Sequence, residues 1–123
     1  MKLGAFSVSL NVKDLTASKA FYEALGFTAF LDQSDQGWCM LKNGDTVIGL
    51  FGGFLEGNTM TFNPGWDQSA QPTGSYDDVR AIQQRLKDAG IALKTECDPS
   101  GTGPAHITLV DPDGNAILID QHV

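Results

Sequence analysis

The groups in this 123-residue chain best suited to moving a proton or attacking a substrate are His106 with Asp120 and the thiol of Cys39. The stretches "AHITLV" and "AILID" alternate, and Ile107, Leu109, Ile117 and Ile119 are the better core formers. That parity turns His106, Thr108, Leu118 and Asp120 to the opposite face. The connection "DPDGN", Asp111 to Asn115, carries Pro112 and Gly114 and closes a hairpin that sets His106 opposite Asp120. A carboxylate that fixes the tautomer of an imidazole makes a general acid/base unit, and the same pair could equally be a structural cross-strand hydrogen bond. Cys39 is expected opposite Gly49, facing the same way. Nothing near it in sequence would lower a thiol pKa, so a small packed hydrophobe is the competing reading. His122 has no partner identifiable from the sequence.

A second set of polar groups comes from a sentence written twice. "SVSLNV" (7–12) and "TMTFNP" (59–64) both read hydroxyl, apolar, hydroxyl, apolar, asparagine. Strict alternation predicts two strands with Ser7, Ser9, Asn11, Thr59, Thr61 and Asn63 on their polar faces, either lining a site or coating a solvent-facing surface.

The elements that must position these groups repeat in the same order. After the first strand, "DLTASKAFYEALGF" predicts a helix capped by Asp14, with Ala17, Ala20, Phe21, Ala24 and Leu25 on its packing stripe and Gly26 as its stop. "FTAFLD" and "GWCMLKNGDTVIGLF" predict three strands, the last two meeting at an Asn43-Gly44 turn. After "TMTFNP", "DDVRAIQQRLKDAG" predicts a helix that packs through Val79, Ile82, Leu86 and Ala89. "IALKTE", "AHITLV" and "AILID" complete the second copy. The reading is α+β: tandem βαβββ units, unit one about 1–52 and unit two about 58–123, in one domain over 1–123. The glycine-bearing stretch "GGFLEGN" (52–58) is the linker. "GWDQSAQPTGSY" (65–76) is an insertion between strand and helix, and Trp66 in it suits a lid over a site or a dimer contact.

Composition bounds the partners. The formal net charge is −7 and the pI about 4.4, and the eight Lys and Arg residues are dispersed, which disfavours nucleic acid and anionic membranes. No segment has the apolar length of a membrane span, and Ser7, Ser9 and Asn11 interrupt the N-terminal apolar run, so no signal peptide is read there. Two cysteines without C-x-x-C spacing read as reduced thiols in a cytoplasmic protein.

The tandem repeat, the helix end "FYEALGF" and the hairpin "DPDGN" followed by an apolar strand together resemble the vicinal oxygen chelate superfamily of glyoxalases, bleomycin resistance proteins and extradiol dioxygenases. The resemblance covers essentially the whole chain. It implies a curved mixed sheet with a concave ligand cavity, helices on the convex face, and a homodimer. With the strand parities above, such a cavity would be lined by Ser7, Ser9, Asn11, Cys39, Thr59, Thr61, Asn63, Thr108 and Leu118, with His106 and Asp120 as the candidate catalytic pair and Trp66 as a candidate ligand-contact residue, in a lid or a dimer contact. Metal-dependent members carry His and carboxylate ligands at four positions that fall here on Ser7, Gly49, Thr59 and Leu118. None of these suits a divalent metal, so no metal and no other cofactor is expected. The expected function is metal-independent binding of a small molecule. The alternative is a lyase or dioxygenase relative that uses His106 and Asp120 or a relocated metal.

Overall fold

The computed structural model describes residues 1–53 and 55–123; Phe54, in the predicted linker, lies outside the described residues. The fold is α+β with a mixed sheet and flanking helices. The chain forms two compact units, Ser7–Thr59, and Met1–Phe6 together with Met60–Val123.

Within Ser7–Thr59, β1 (Ala5–Val12, whose first two residues group with the other unit) leads into α1 (Leu15–Ala24). Then follow β2 (Thr28–Gln33), β3 (Trp38–Asn43) and β4 (Thr46–Gly52). The strand order is β2-β3-β4-β1, antiparallel except for the parallel β4/β1 pair. The Asp14 carboxylate caps α1 by accepting from Ala17 N at 3.0 Å, and Gly26, at φ +99°, ends it. Cys39, Leu41, Ile48 and Leu50 form the core of this unit, with Leu10, Val12, Leu15, Tyr22, Phe27 and Ala29 packed against it.

The expected stripe of α1 is corrected. Ala17, Ala20 and Ala24 are exposed, as are Phe21 (61% exposed) and Leu25 (59%), while Leu15 and Tyr22 face the core. Residues 15, 18 and 22 satisfy helical spacing as well as the predicted set does. The Tyr22 ring meets Phe27 edge-on at 5.8 Å, and Lys19 reaches Asp32 at 2.6 Å, which fixes the rotation.

In the other unit, β5 (Thr59–Asn63), α2 (Val79–Asp88), β6 (Ala105–Val110) and β7 (Ala116–Gln121) follow, in strand order β5-β7-β6. Val79, Ile82, Ile107, Leu109 and Ile119 form its core; of the predicted α2 stripe, Leu86 packs against this core and Ala89 is exposed. The β6/β7 connection is the expected turn. The Asp111 side chain accepts from Asp113 N and Asn115 N, and Gly114 takes φ +85°. "IALKTE" is not a regular strand. Only Thr95 bridges, to Thr108, because Leu93 alone of that stretch packs against the core.

The 65–76 insertion is tied to its own unit. Trp66 O accepts from Ala5 N at 3.1 Å, Thr73 N donates to Gly65 O at 2.8 Å, and Trp66 bridges Pro72. The Gln68 amide clasps both backbone groups of Phe6. Gly4 passes so close to the Asn63 carbonyl that a Cβ there would lie 2.0 Å from its oxygen, and its φ is +81°. Only glycine fits.

Candidate functional site

Each unit has a helix-covered face and a helix-free face, and the chemistry-bearing residues sort between them by strand alternation. On Ser7–Thr59, Leu10 and Val12 pack against the α1 core, so Ser7, Ser9 and Asn11 take the helix-free face. Ser7 and Ser9 are 3% and 5% exposed, Asn11 is exposed, and Thr59 is half-buried. On β3 and β4 the register pairs are Cys39↔Leu50, Met40↔Gly49 and Trp38↔Phe51. The Trp38 and Phe51 rings stack, with centroids 6.2 Å apart and planes at 15°. Met40 and Phe51 fill the space over Gly49, where an added Cβ would meet Phe51 Cε2 at 2.6 Å and Met40 Sδ at 2.9 Å.

Cys39 as a ligand-binding residue is corrected. It is fully buried in the core beneath α1, and Met40 takes the place opposite Gly49. The hairpin loop is Gly44–Asp45, between the paired Asn43 and Thr46, and a one-residue shift of register turns every side chain to the other face. Burial raises the thiol pKa, which disfavours the thiolate a nucleophile needs.

On the other unit, Ile107, Leu109, Ile117 and Ile119 join the α2 core, leaving His106, Thr108, Leu118 and Asp120 on the opposite face. His106 and Asp120 are register partners. The carboxylate, however, turns along its own strand: Asp120 Oδ2 lies 3.1 Å from His122 Nε2. Residues i and i+2 of an extended chain share a face, so His122 competes for Asp120 from next to it. The acid/base pair that forms is thus His122–Asp120, and His106 stands exposed. The His122 ring stacks on Trp66, centroids 4.3 Å apart and planes at 10°. The hydrogen bond that His122 donates to the Asp120 carboxylate raises the His122 pKa above its ordinary value, against the opposing effect of burial. Thr61 and Asn63 are 6% and 9% exposed, and Asn63 Nδ2 donates to the Asp120 carbonyl at 2.8 Å.

Sequence reasoning missed Trp38, Met40, Phe51 and His122. Trp38 and Met40 were legible in the alternation of "WCMLKN" and Phe51 in that of "TVIGLFG", given a two-residue loop. His122 needed only the extension of the β7 parity by one more step.

The family model of the glyoxalase/bleomycin resistance protein/dioxygenase superfamily matches residues 4–119. The chain belongs to this superfamily. Solved structures with the same fold include a superfamily member from Vibrio splendidus, 17% identical, with a TM-score of 0.64 and coverage of 96% of this chain and 97% of that one. An NAD-dependent benzaldehyde dehydrogenase from Legionella pneumophila is 18% identical, with a TM-score of 0.70 and coverage of 96% and 99%. A hypothetical protein from Bacillus halodurans is 16% identical, with a TM-score of 0.65 and coverage of 95% and 92%. At these identities the likeness is one of fold alone. A search of curated proteins found no match.

The four positions to which the resemblance assigned metal ligands carry side chains poorly suited to a divalent ion. Gly49 and Leu118 offer no side-chain donor, the Gly49 site is filled by Met40 and Phe51, and Ser7 and Thr59 offer neutral hydroxyls. Among the described residues, no group of three or more His, Cys, Asp or Glu side chains could hold a metal.

Proposed function

We propose that this superfamily member is a small-molecule-binding protein, cytoplasmic and homodimeric, whose single domain over 1–123 binds its ligand without a metal at the inherited positions. The observation that carries the reading is the helix-free face of β3 and β4, where the half-buried Trp38, Met40 and Phe51 close over Gly49. An apolar platform with few polar groups beside it is the ordinary make-up of a small-molecule site. It suits a ligand with a planar apolar part. On the same unit, Ser7 and Ser9, 3% and 5% exposed, serve as polar floor, while Asn11 and Thr59 are the more accessible donors and acceptors. The enzymatic alternative that uses His106 with Asp120 loses support, because Asp120 faces His122.

A library of small aromatic fragments screened by ligand-observed NMR tests the platform. Hits that weaken about tenfold or more in Trp38→Ala and Phe51→Ala, with Phe21→Ala unchanged, support it. Hits insensitive to both platform substitutions would overturn it.

A further inference from the structure

Trp66, Asp120 and His122 make an arrangement that the platform reading does not use. A flat ring lies face to face on an indole while a carboxylate grips its nitrogen at 3.1 Å. Those are the two contacts by which proteins recognise a flat organic cation: an aromatic face and a hydrogen-bonded anion. The walls are built into the fold, and the occupant is not. Trp66 is held by backbone bonds to Ala5 and Asn63 and by its bridge to Pro72, and Asp120 lies inside β7 with Asn63 on its carbonyl. His122 follows the last β7 residue, and its side chain remains 43% exposed, with that of Asp120 30% exposed. Solvent therefore reaches the contact that would have to break. The net charge of −7 draws cations toward the protein at long range.

We propose that Trp66 and Asp120 form a receptor for a flat organic cation of the guanidinium, amidinium or imidazolium class, which the chain's own His122 ring occupies in the free protein. A ligand cation displaces His122 and takes both contacts. The proposal concerns residues of the Met60–Val123 segment and stands independently of the Trp38 platform.

The competition depends on pH in a defined sense. Asp120 is the charged group that raises the His122 pKa. Across the ladder on β6, the titratable register partner of Asp120 is His106; on the 65–76 loop, whose Trp66 stacks on His122, the ionisable residues are Asp67, whose carboxylate accepts from Ser69 N and Gln71 N, and Tyr76, whose ring lies beside Gly65. On the other face of β7, Asp78 is engaged by Gln121. Below its pKa the His122 imidazolium holds Asp120 as an ion pair. As pH rises through that raised pKa the ring becomes neutral, its hold weakens, and the receptor opens to a permanently charged competitor.

Benzamidinium is the probe and benzamide its neutral control, titrated by NMR while the Trp66 indole N–H is followed and assigned with Trp66→Phe. We expect His122→Ala to bind benzamidinium about tenfold or more tighter than the wild-type chain, which corresponds to loss of one competing stacked ion pair. Wild-type affinity should rise between about pH 5.5 and about pH 8.5 while that of His122→Ala stays flat. Asp120→Asn in the His122→Ala background should abolish the preference for benzamidinium over benzamide. Equal affinity of wild type and His122→Ala, or binding of benzamide as tight as that of benzamidinium, overturns the proposal. Circular dichroism of each variant confirms that a lost signal is not a lost fold.

Discussion

At Gly49 a missing side chain does structural work. Met40 Sδ and the Phe51 ring occupy the volume that a Cβ would need, and the backbone there is not in the left-handed region, so the constraint is one of space. Gly49→Ala should therefore destabilise the protein by about 1–3 kcal/mol through overpacking. Urea unfolding checks this, and the Gly49→Ala/Phe51→Leu double variant should lose less than the sum of its two single losses, because the second change vacates the contested space. An additive result would show that Phe51 is not the group in the way. The same crowding leaves neither space nor a side-chain donor for a metal at Gly49.

At the scale of elements, α2 is held from a distance. Its Asp78 cap accepts from Arg80 N at 2.9 Å, a local device readable in "DDVR". Its first N–H, that of Val79, is satisfied by Gln121 Oε1 at 2.8 Å, across 42 residues of chain. Gln121 is 1% exposed, and its amide nitrogen lies 3.1 Å from Asp78 Oδ2, Gly103 O and Val123 O. Gln121→Leu should cost about 1–3 kcal/mol, since it strands buried partners of both kinds while keeping most of the volume. Chemical denaturation measures that loss. Hydrogen exchange should then show faster opening at Val79 than at Leu86, and uniform exchange along α2 would count against this capping role. β1 and β5 are the counter-case: their alternation was fully legible, because one side of each strand carries only Val, Leu, Met and Phe.

For the molecule as a whole, the proposed reading predicts that protein purified without a chelator contains far less than one Zn, Ni, Fe or Mn per subunit. Elemental analysis decides it, and a value near one would revive the enzyme reading with a relocated site. The proposed homodimer predicts a sedimenting mass twice that of the chain. The outward stripe of α1, with Phe21 and Leu25 more than half exposed, is the first surface to probe, by Phe21→Glu. A monomer at all concentrations tested would remove that part of the proposal.

What the sequence determined by itself is what short-range physics controls. The Asp14 and Asp78 caps, the Gly26 stop, the Asp111 turn and the faces of "SVSLNV", "TMTFNP" and "AHITLV" each depend on residues a few positions apart. The family resemblance rested on the same local signatures. The tertiary structure decided among alternatives that are locally equivalent. Two stripes of α1 had acceptable spacing, and contacts to Phe27 and Asp32 chose Leu15 and Tyr22. One residue of register in the β3/β4 hairpin separated Cys39 from Met40 as the partner of Gly49. Asp120 had a candidate across the ladder and another along its strand, and the stacking of His122 on Trp66, 56 residues earlier, went with the second. Periodicity names a set of faces, but only packing between distant segments selects one of them, because burial and charge pairing are settled by neighbours that the local sequence does not contain.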